Sequence, residues 1–154
     1  MPRFSSKINL IYIDPPYNTG KNDFVYDDSF IDNNDCFRHS KWLSFMEKRL
    51  NIAKKLLSNN GIIFISIDDN EQSQIKLLCD SIFSEDNYIS TMPRKTSEHV
   101  RVNATYQLQN LNDFVLIYSN NKFTTMLNKN NTGNVDFKYE DENGKYILKA
   151  FQNS

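Results

Sequence analysis

Two adjacent prolines, Pro15 and Pro16, close a hydrophobic run and constrain this chain more than any other feature. The run Ile8 to Ile13 (Ile-Asn-Leu-Ile-Tyr-Ile) is almost wholly β-branched, aliphatic or aromatic. That composition suits a strand buried on both faces of a parallel sheet. Proline locks φ, lacks an N–H and pushes the residue before it into extended backbone, so the strand must stop at Asp14. In an open α/β sheet the carboxyl ends of the strands are where ligands bind.

The rest of the chain supplies such a sheet. Residues Asn18 to Asp35 are polar and turn-rich with Phe24, Tyr26 and Phe30 interspersed, and are expected to form a loop beside Asp14. From Ser40, a plausible N-cap, Trp42, Phe45, Met46, Leu50, Ala53, Leu56 and Leu57 recur at helical spacing, with Lys41, Glu47, Lys48, Lys54 and Lys55 largely opposite. Asn59-Asn60-Gly61 is expected to end that helix. Ile62 to Ile67 reads as a second buried strand. Asp68 or Asp69 is expected to cap a second helix with apolar positions Ile75, Leu78, Cys79 and Ile82. Further strands are expected at Tyr88 to Met92 and Phe114 to Tyr118. After Asn120 the chain is polar, with short strands expected near Val135, Phe137 and Tyr146 to Leu148. Strand, helix, strand, helix, strand is the order of an open, mostly parallel α/β sheet.

Composition narrows the function classes. At 154 residues the chain has room for one core. Its net charge of −1 argues against a free-standing module that grips nucleic acid through phosphates alone, although basic patches remain compatible with it. Two cysteines, Cys36 and Cys79, make no disulfide scaffold, and Cys36 with His39 is the one pair at ligand spacing, so no metal site is expected. The absence of a long apolar run predicts a soluble, cytoplasmic protein with no membrane partner.

Asp14-Pro15-Pro16-Tyr17 carries the chemistry. The prolines remove two N–H donors and leave a rigid row of carbonyl acceptors beside a carboxylate. An exocyclic amino group on a base offers two N–H donors, one for Asp14 and one for a main-chain carbonyl, that of Pro15 being the best placed. Tyr17 offers a flat face on which an extruded base can stack. An aromatic amine is a poor nucleophile because its lone pair is delocalised. Holding both N–H groups favours a pyramidal nitrogen, and a carboxylate stabilises the positive charge that grows on it. The same four residues also suit a strand that merely ends in a proline turn with an exposed tyrosine. The buried strand before them and the strand–helix units after them favour a site.

Leu10-Ile11-Tyr12-Ile13-Asp14-Pro15-Pro16-Tyr17-Asn18-Thr19-Gly20 closely resembles the catalytic motif of the Mod subunits of type III restriction-modification systems, beta-class adenine-N6 DNA methyltransferases. The resemblance continues through Trp42, the Leu56-to-Gly61 segment, Ile65-Ser66-Ile67-Asp68-Asp69-Asn70-Glu71, Ile82-Phe83 and Asp113 to Tyr118, covering most of residues 7–120. It implies a Rossmann-like S-adenosylmethionine-dependent methyltransferase sheet, present in part. It also implies adenine flipped from double-stranded DNA as substrate, and in the full-length protein a homodimer and a restriction (nuclease/helicase) subunit as partners, in the bacterial cytoplasm. Asp14 to Tyr17 would be catalytic. Asp14, Asp68 and Asp69 would line the cofactor side, with helix capping the plainer reading of one of the last two. Asn18, Thr19, Lys21, Arg94 and Lys95, with Arg101, are the DNA-contact candidates.

One part of the family pattern is missing. The chain has four glycines, Gly20, Gly61, Gly133 and Gly144, and no G-x-G that could cradle the donor. In the beta class that loop follows the target-recognition region and would fall after Ser154. The expectation is a catalytic half at 1–92, a variable loop at 93–112, a further strand at 113–120 and the start of target recognition at 121–154, inactive alone. The rival readings are a non-catalytic remnant that pairs with a partner subunit, and an amino methyltransferase acting on cytosine N4 or RNA.

Overall fold

The hydrophobic run Ile8–Ile13 forms β1 with the boundaries expected of it. The structure, a computed structural model, describes residues 3–26, 29–32, 34–96, 111–128, 139–142 and 144–146. β2 (Lys21–Tyr26) and β3 (Ser29–Asp32) form an antiparallel hairpin where a loop was expected. The reason is Phe24, which is buried and meets the Phe45 ring edge-on at 5.2 Å, anchoring the hairpin to the core.

Helix α1 (Arg38–Leu56) buries Trp42, Met46, Leu50 and Ala53 along one stripe. It begins two residues before Ser40. Asp35 organises the start instead: its backbone carbonyl accepts from the Arg38 N–H at 3.1 Å, and its carboxylate takes the Phe37 N–H at 2.8 Å and the Lys41 ammonium at 2.7 Å. No loop follows α1, because Leu57 is already extended (φ −60, ψ 134) and opens β4 (Leu57–Ile67).

Asn59-Asn60-Gly61 therefore lies inside a strand rather than ending a helix. Ile8 faces Leu57 and Leu10 faces Ile62, so four residues of β4 stand against Asn9 alone and form a bulge. Gly61 is required there. A Cβ at that position would stand 2.8 Å from the Ile8 carbonyl oxygen and 3.0 Å from that of Ser58.

Helix α2 (Gln72–Phe83) buries Ile75, Cys79, Ile82 and Phe83. Neither Asp68 nor Asp69 caps it; Glu71 is the flanking residue. Asp68 instead closes the preceding turn, accepting from the Asn70 N–H at 2.9 Å and its side-chain amide at 2.6 Å. After a single 3-10 turn at Glu85–Asn87 come β5 (Tyr88–Lys95) and β6 (Asn112–Ser119). A small hairpin of β7 (Tyr139–Asp141) and β8 (Gly144–Tyr146) forms a separate sheet. Of the short strands expected beyond Asn120, only Tyr146 falls within it; Val135, Phe137, Ile147 and Leu148 lie outside the described residues.

The main sheet has the order β1-β4-β6-β5. β1 and β4 are parallel, while β6 runs antiparallel to both its neighbours. Three of the four strands thus share one direction, yet the sheet is mixed, because β6 pairs with the strand that immediately precedes it. The helices pack on the face that carries Ile11, Ile13, Ile63, Ile65, Ile67, Leu116 and Tyr118. Leu10 and Tyr12 on the opposite face are 61% and 54% exposed, so β1 is covered on one face only and β4 is the buried strand.

Gly61→Ala is expected to destabilise the fold by about 1–3 kcal/mol, the usual cost of forcing atoms into packed backbone. Urea denaturation followed by circular dichroism checks this.

Candidate active site

β1, β4 and β5 end at the same edge of the sheet, and the polar residues singled out in the sequence gather there. Asp14 lies at the end of β1 with its carboxylate exposed to solvent. The Tyr17 hydroxyl donates to Asp14 Oδ1 at 3.1 Å. Arg94, near the end of β5, donates to the Asp113 carboxylate at 2.7 Å and lies 3.5 Å from the Tyr17 hydroxyl. Burial, the hydrogen bond to Asp14 and the negative charges of Asp14 and Asp113 together push the Tyr17 phenol up to about 12. Tyr17 is thus a donor throughout the neutral range.

The proline turn is fastened from below. The indole N–H of Trp42, a fully buried residue of α1, donates to the Pro16 carbonyl at 2.7 Å. The helical stripe marked Trp42 as core, but its second role escaped the sequence. The signal was available: a buried indole N–H needs an acceptor, and the turn residues with spare carbonyls are the prolines. A cavity of about 390 Å³ opens between Asp14-Pro15-Pro16 and the Phe45, Met46 and Arg49 side of α1. The Arg49 guanidinium lies over the Phe45 ring, 3.3 Å from its centroid.

Asn18, one of the DNA-contact candidates, is turned inward. It sits in left-handed backbone (φ 55) with its side chain fully buried, its amide donating to Glu71 Oε1 at 2.5 Å and to the Arg38 carbonyl at 3.4 Å. The His39 ring pairs with the same Glu71 oxygen at 2.6 Å. Burial raises the Glu71 carboxyl above its ordinary value, while the hydrogen bonds from Asn18 and His39 pull it down. Neither Glu71 nor a joint role for His39 was foreseen, because an acid at the end of Asp-Asp-Asn-Glu looks like one more surface charge.

Thr19 is half-buried beside the motif, and Arg94 and Lys95 are exposed at the end of β5. Lys21 belongs to β2, with its side chain outside what is described, and Arg101 lies outside the described residues. Asp68, half-buried after β4, has its carboxyl raised chiefly by burial; Asp69 is exposed. Among the described residues no group of three His, Cys, Asp or Glu side chains could hold a metal ion, and no helix is long and apolar enough to cross a membrane.

The family model for DNA methylases matches residues 8–153. The chain belongs to the DNA methylase family. Among curated relatives, the EcoPI Mod subunit of Escherichia phage P1, a type III restriction-modification enzyme, is 34% identical over 94% of this chain and 26% of its own length. The EcoP15I Mod subunit of Escherichia coli, also type III, is 37% identical over 77% of this chain and 22% of its own length. The chain thus spans about a quarter of the length of these relatives.

Solved structures agree on the fold. A Thermus thermophilus protein described as a DNA modification methylase, in complex with S-adenosyl-L-methionine, aligns with a TM-score of 0.54 over 75% of this chain and 48% of its own, at 12% identity. The cytosine-N4-specific PvuII DNA methyltransferase aligns at 0.57 over 77% of this chain and 44% of its own, at 9% identity. The open α/β methyltransferase sheet and the Mod-type family expected from the motif are those found, with the mixed strand directions given above.

The raised phenol has a consequence for stability. A group that holds its proton more tightly when folded contributes stability below its unfolded value of 10.0 and loses it as pH rises through about 12. Tyr17→Phe is expected to flatten the fall in denaturation midpoint between these two pH values. An unchanged slope would show that Tyr17 ionises as freely as in the unfolded chain.

Proposed function

We propose that this chain carries the base-binding half of an adenine-N6 DNA methyltransferase active site of a type III restriction-modification system. The observation that carries the reading is the Tyr17–Asp14 hydrogen bond. The Tyr17 O–H takes Asp14 Oδ1, so the second oxygen of this exposed carboxylate, which lines the cavity, is the acceptor for an amino N–H. Trp42 already claims the Pro16 carbonyl, so the main-chain acceptor for the second N–H is that of Pro15.

With both N–H groups held, the amino nitrogen directs its lone pair away from the ring plane, and Asp14 stabilises the positive charge that develops there. Tyr17 offers its ring to the flipped base. When bound, S-adenosylmethionine supplies an electrophilic methyl group on a sulfonium sulfur. Of the donor's surroundings the chain supplies one wall: the cavity beside Asp14, with the acid suited to a sulfonium cation and Phe45 and Met46 to apolar contact. Asp68 and Asp69 follow the adjacent strand β4 and would extend the acidic side of that wall. A glycine cradle is not among these residues. Arg94, Lys95 and Lys21 are the remaining candidates for phosphate contact on double-stranded DNA, with Thr19 beside the base. The complete assembly would pair with a restriction subunit and work in the bacterial cytoplasm.

Two experiments bear on this. The purified 154-residue chain is expected to transfer no tritiated methyl groups to DNA, and measurable transfer would show that its own residues suffice to hold the donor. Residues 7–120 exchanged into the matching segment of the EcoPI Mod subunit are expected to give a chimera that forms N6-methyladenine. Asp14→Ala in that chimera is expected to lower kcat by about 10²–10³-fold, the usual loss for one preorganised electrostatic partner. A product of N4-methylcytosine, or activity indifferent to Asp14, rules the proposal out.

A further inference from the structure

A buried carboxylate outside the Asp14–Tyr17 motif joins three elements of the fold. Glu71 is fully buried at the start of α2. One of its oxygens, Oε1, receives the Asn18 amide at 2.5 Å and pairs with the His39 ring at 2.6 Å. Asn18 comes directly after Tyr17, and Arg38 and His39 open α1. The Asn18 amide also reaches the Arg38 carbonyl at 3.4 Å. The Asn18 amide oxygen, Oδ1, and the second Glu71 oxygen, Oε2, are buried and have no hydrogen-bond partner among the described residues.

Burying an acid with one oxygen unpartnered is costly, and a helix start has no need of it. What Glu71 does accomplish is local. Asn18 holds φ 55, a conformation that L residues other than asparagine and aspartate adopt reluctantly. That left-handed residue directly follows Tyr17, so whatever holds it also bears on the placement of the Asp14–Tyr17 segment. Trp42 fastens the turn at Pro16, and the Asn18–Glu71 bond fastens it two residues later.

We infer that Glu71 is a positioning residue, which through Asn18 holds the Asp14–Tyr17 turn in the geometry that methyl transfer requires. This rests on the function proposed above, so one readout is independent of activity. Trp42 is the chain's single tryptophan, fully buried against that turn, and its fluorescence reports on it. Asn18→Gly keeps a residue that accepts φ 55 while deleting the tether. Glu71→Gln keeps an acceptor for the Asn18 amide, and Glu71→Ala removes it.

In the 154-residue chain, Asn18→Gly and Glu71→Ala are expected to raise acrylamide quenching of Trp42 by about twofold or more, through local opening with unchanged circular dichroism. Glu71→Gln is expected to leave quenching as in the parent. In the chimera, Asn18→Gly and Glu71→Ala are each expected to lower kcat about a hundredfold, as a misplaced reacting group does, with KM for DNA within about twofold of the parent. The double variant is expected to be no worse than either single one, since both remove the same contact, and Glu71→Gln is expected to restore most of kcat.

Unchanged quenching in both Asn18→Gly and Glu71→Ala overturns the inference whether or not the chimera is active. So does an Asn18→Gly chimera that keeps kcat and raises only KM for DNA, which would make Asn18 a DNA contact. A parent chimera that fails to methylate, with quenching behaving as expected, removes the proposed function and leaves the turn's dependence on Glu71 standing.

Discussion

The hydrogen bond from Trp42 to the Pro16 carbonyl is the constraint on which the placement of the site depends. Trp42 is fully buried in the stripe of α1 that also carries Met46 and Leu50. An indole in such a place must find an acceptor for its N–H, or its burial costs free energy. A proline turn is a suitable partner because it presents carbonyls and has no N–H of its own to satisfy. The turn that carries Asp14 is therefore positioned by the packing of a helix against the sheet, and not by the conformational preferences of a surface loop. Precision of this kind comes more readily from rigid elements than from loops.

The electrostatics of the sheet edge follow from that placement. Asp14 is exposed, whereas Tyr17 is half-buried near the two carboxylates of Asp14 and Asp113. Negative neighbours disfavour the phenolate, and the hydrogen bond to Asp14 uses the neutral O–H, so both effects keep the proton on Tyr17. Arg94 acts in the opposite direction, but its strongest partner is Asp113 and it is half-exposed. A neutral, polarisable ring beside an ionised acid is the combination that can accept a flat, uncharged base and then tolerate positive charge on it. The overall charge of −1 conceals this local order, in which one acid, Asp14, and one cation, Arg49, line the cavity while Arg94 and Lys95 stand on β5.

How much of this was legible in the sequence varied with the physical cause. Periodicity located α1 and α2, because burial against a single face imposes a repeat that composition cannot hide, and an unbroken apolar run located β1. Proline stops are equally local, so the end of β1 and the position of Asp14 were readable. Boundaries that depend on long-range partners were not. Ser40 looked like a cap, but Asp35 took that part through Lys41 and the Phe37 amide. Asn59-Asn60-Gly61 looked like a helix stop, yet the chain turned directly into β4 and used the glycine for a close approach to Ile8. The direction of β6 was hidden too, since a strand's sequence does not say which neighbour it will choose. The resemblance of Asp14 to Tyr17 to a known motif pointed to the candidate site but gave no account of what holds that segment, which lies in Trp42, Asn18 and Glu71.

That supporting set shows why a local reading of polar residues misleads at a functional site. Asn18 stood among the DNA-contact candidates beside the motif, but it holds left-handed backbone after Tyr17 and its side chain is buried. Once inward, its amide needed an acceptor, and Glu71 supplied one at the cost of burying a carboxyl whose second oxygen has no partner among the described residues. Each step is unfavourable or neutral for stability considered alone. Together they make a turn whose conformation is over-determined, by Trp42 on one side and Glu71 on the other. On the proposed function, a site that presents a carboxylate and a carbonyl to one small amino group would depend on that redundancy, because a shift of either acceptor would release one of the two N–H groups and return the lone pair to the ring.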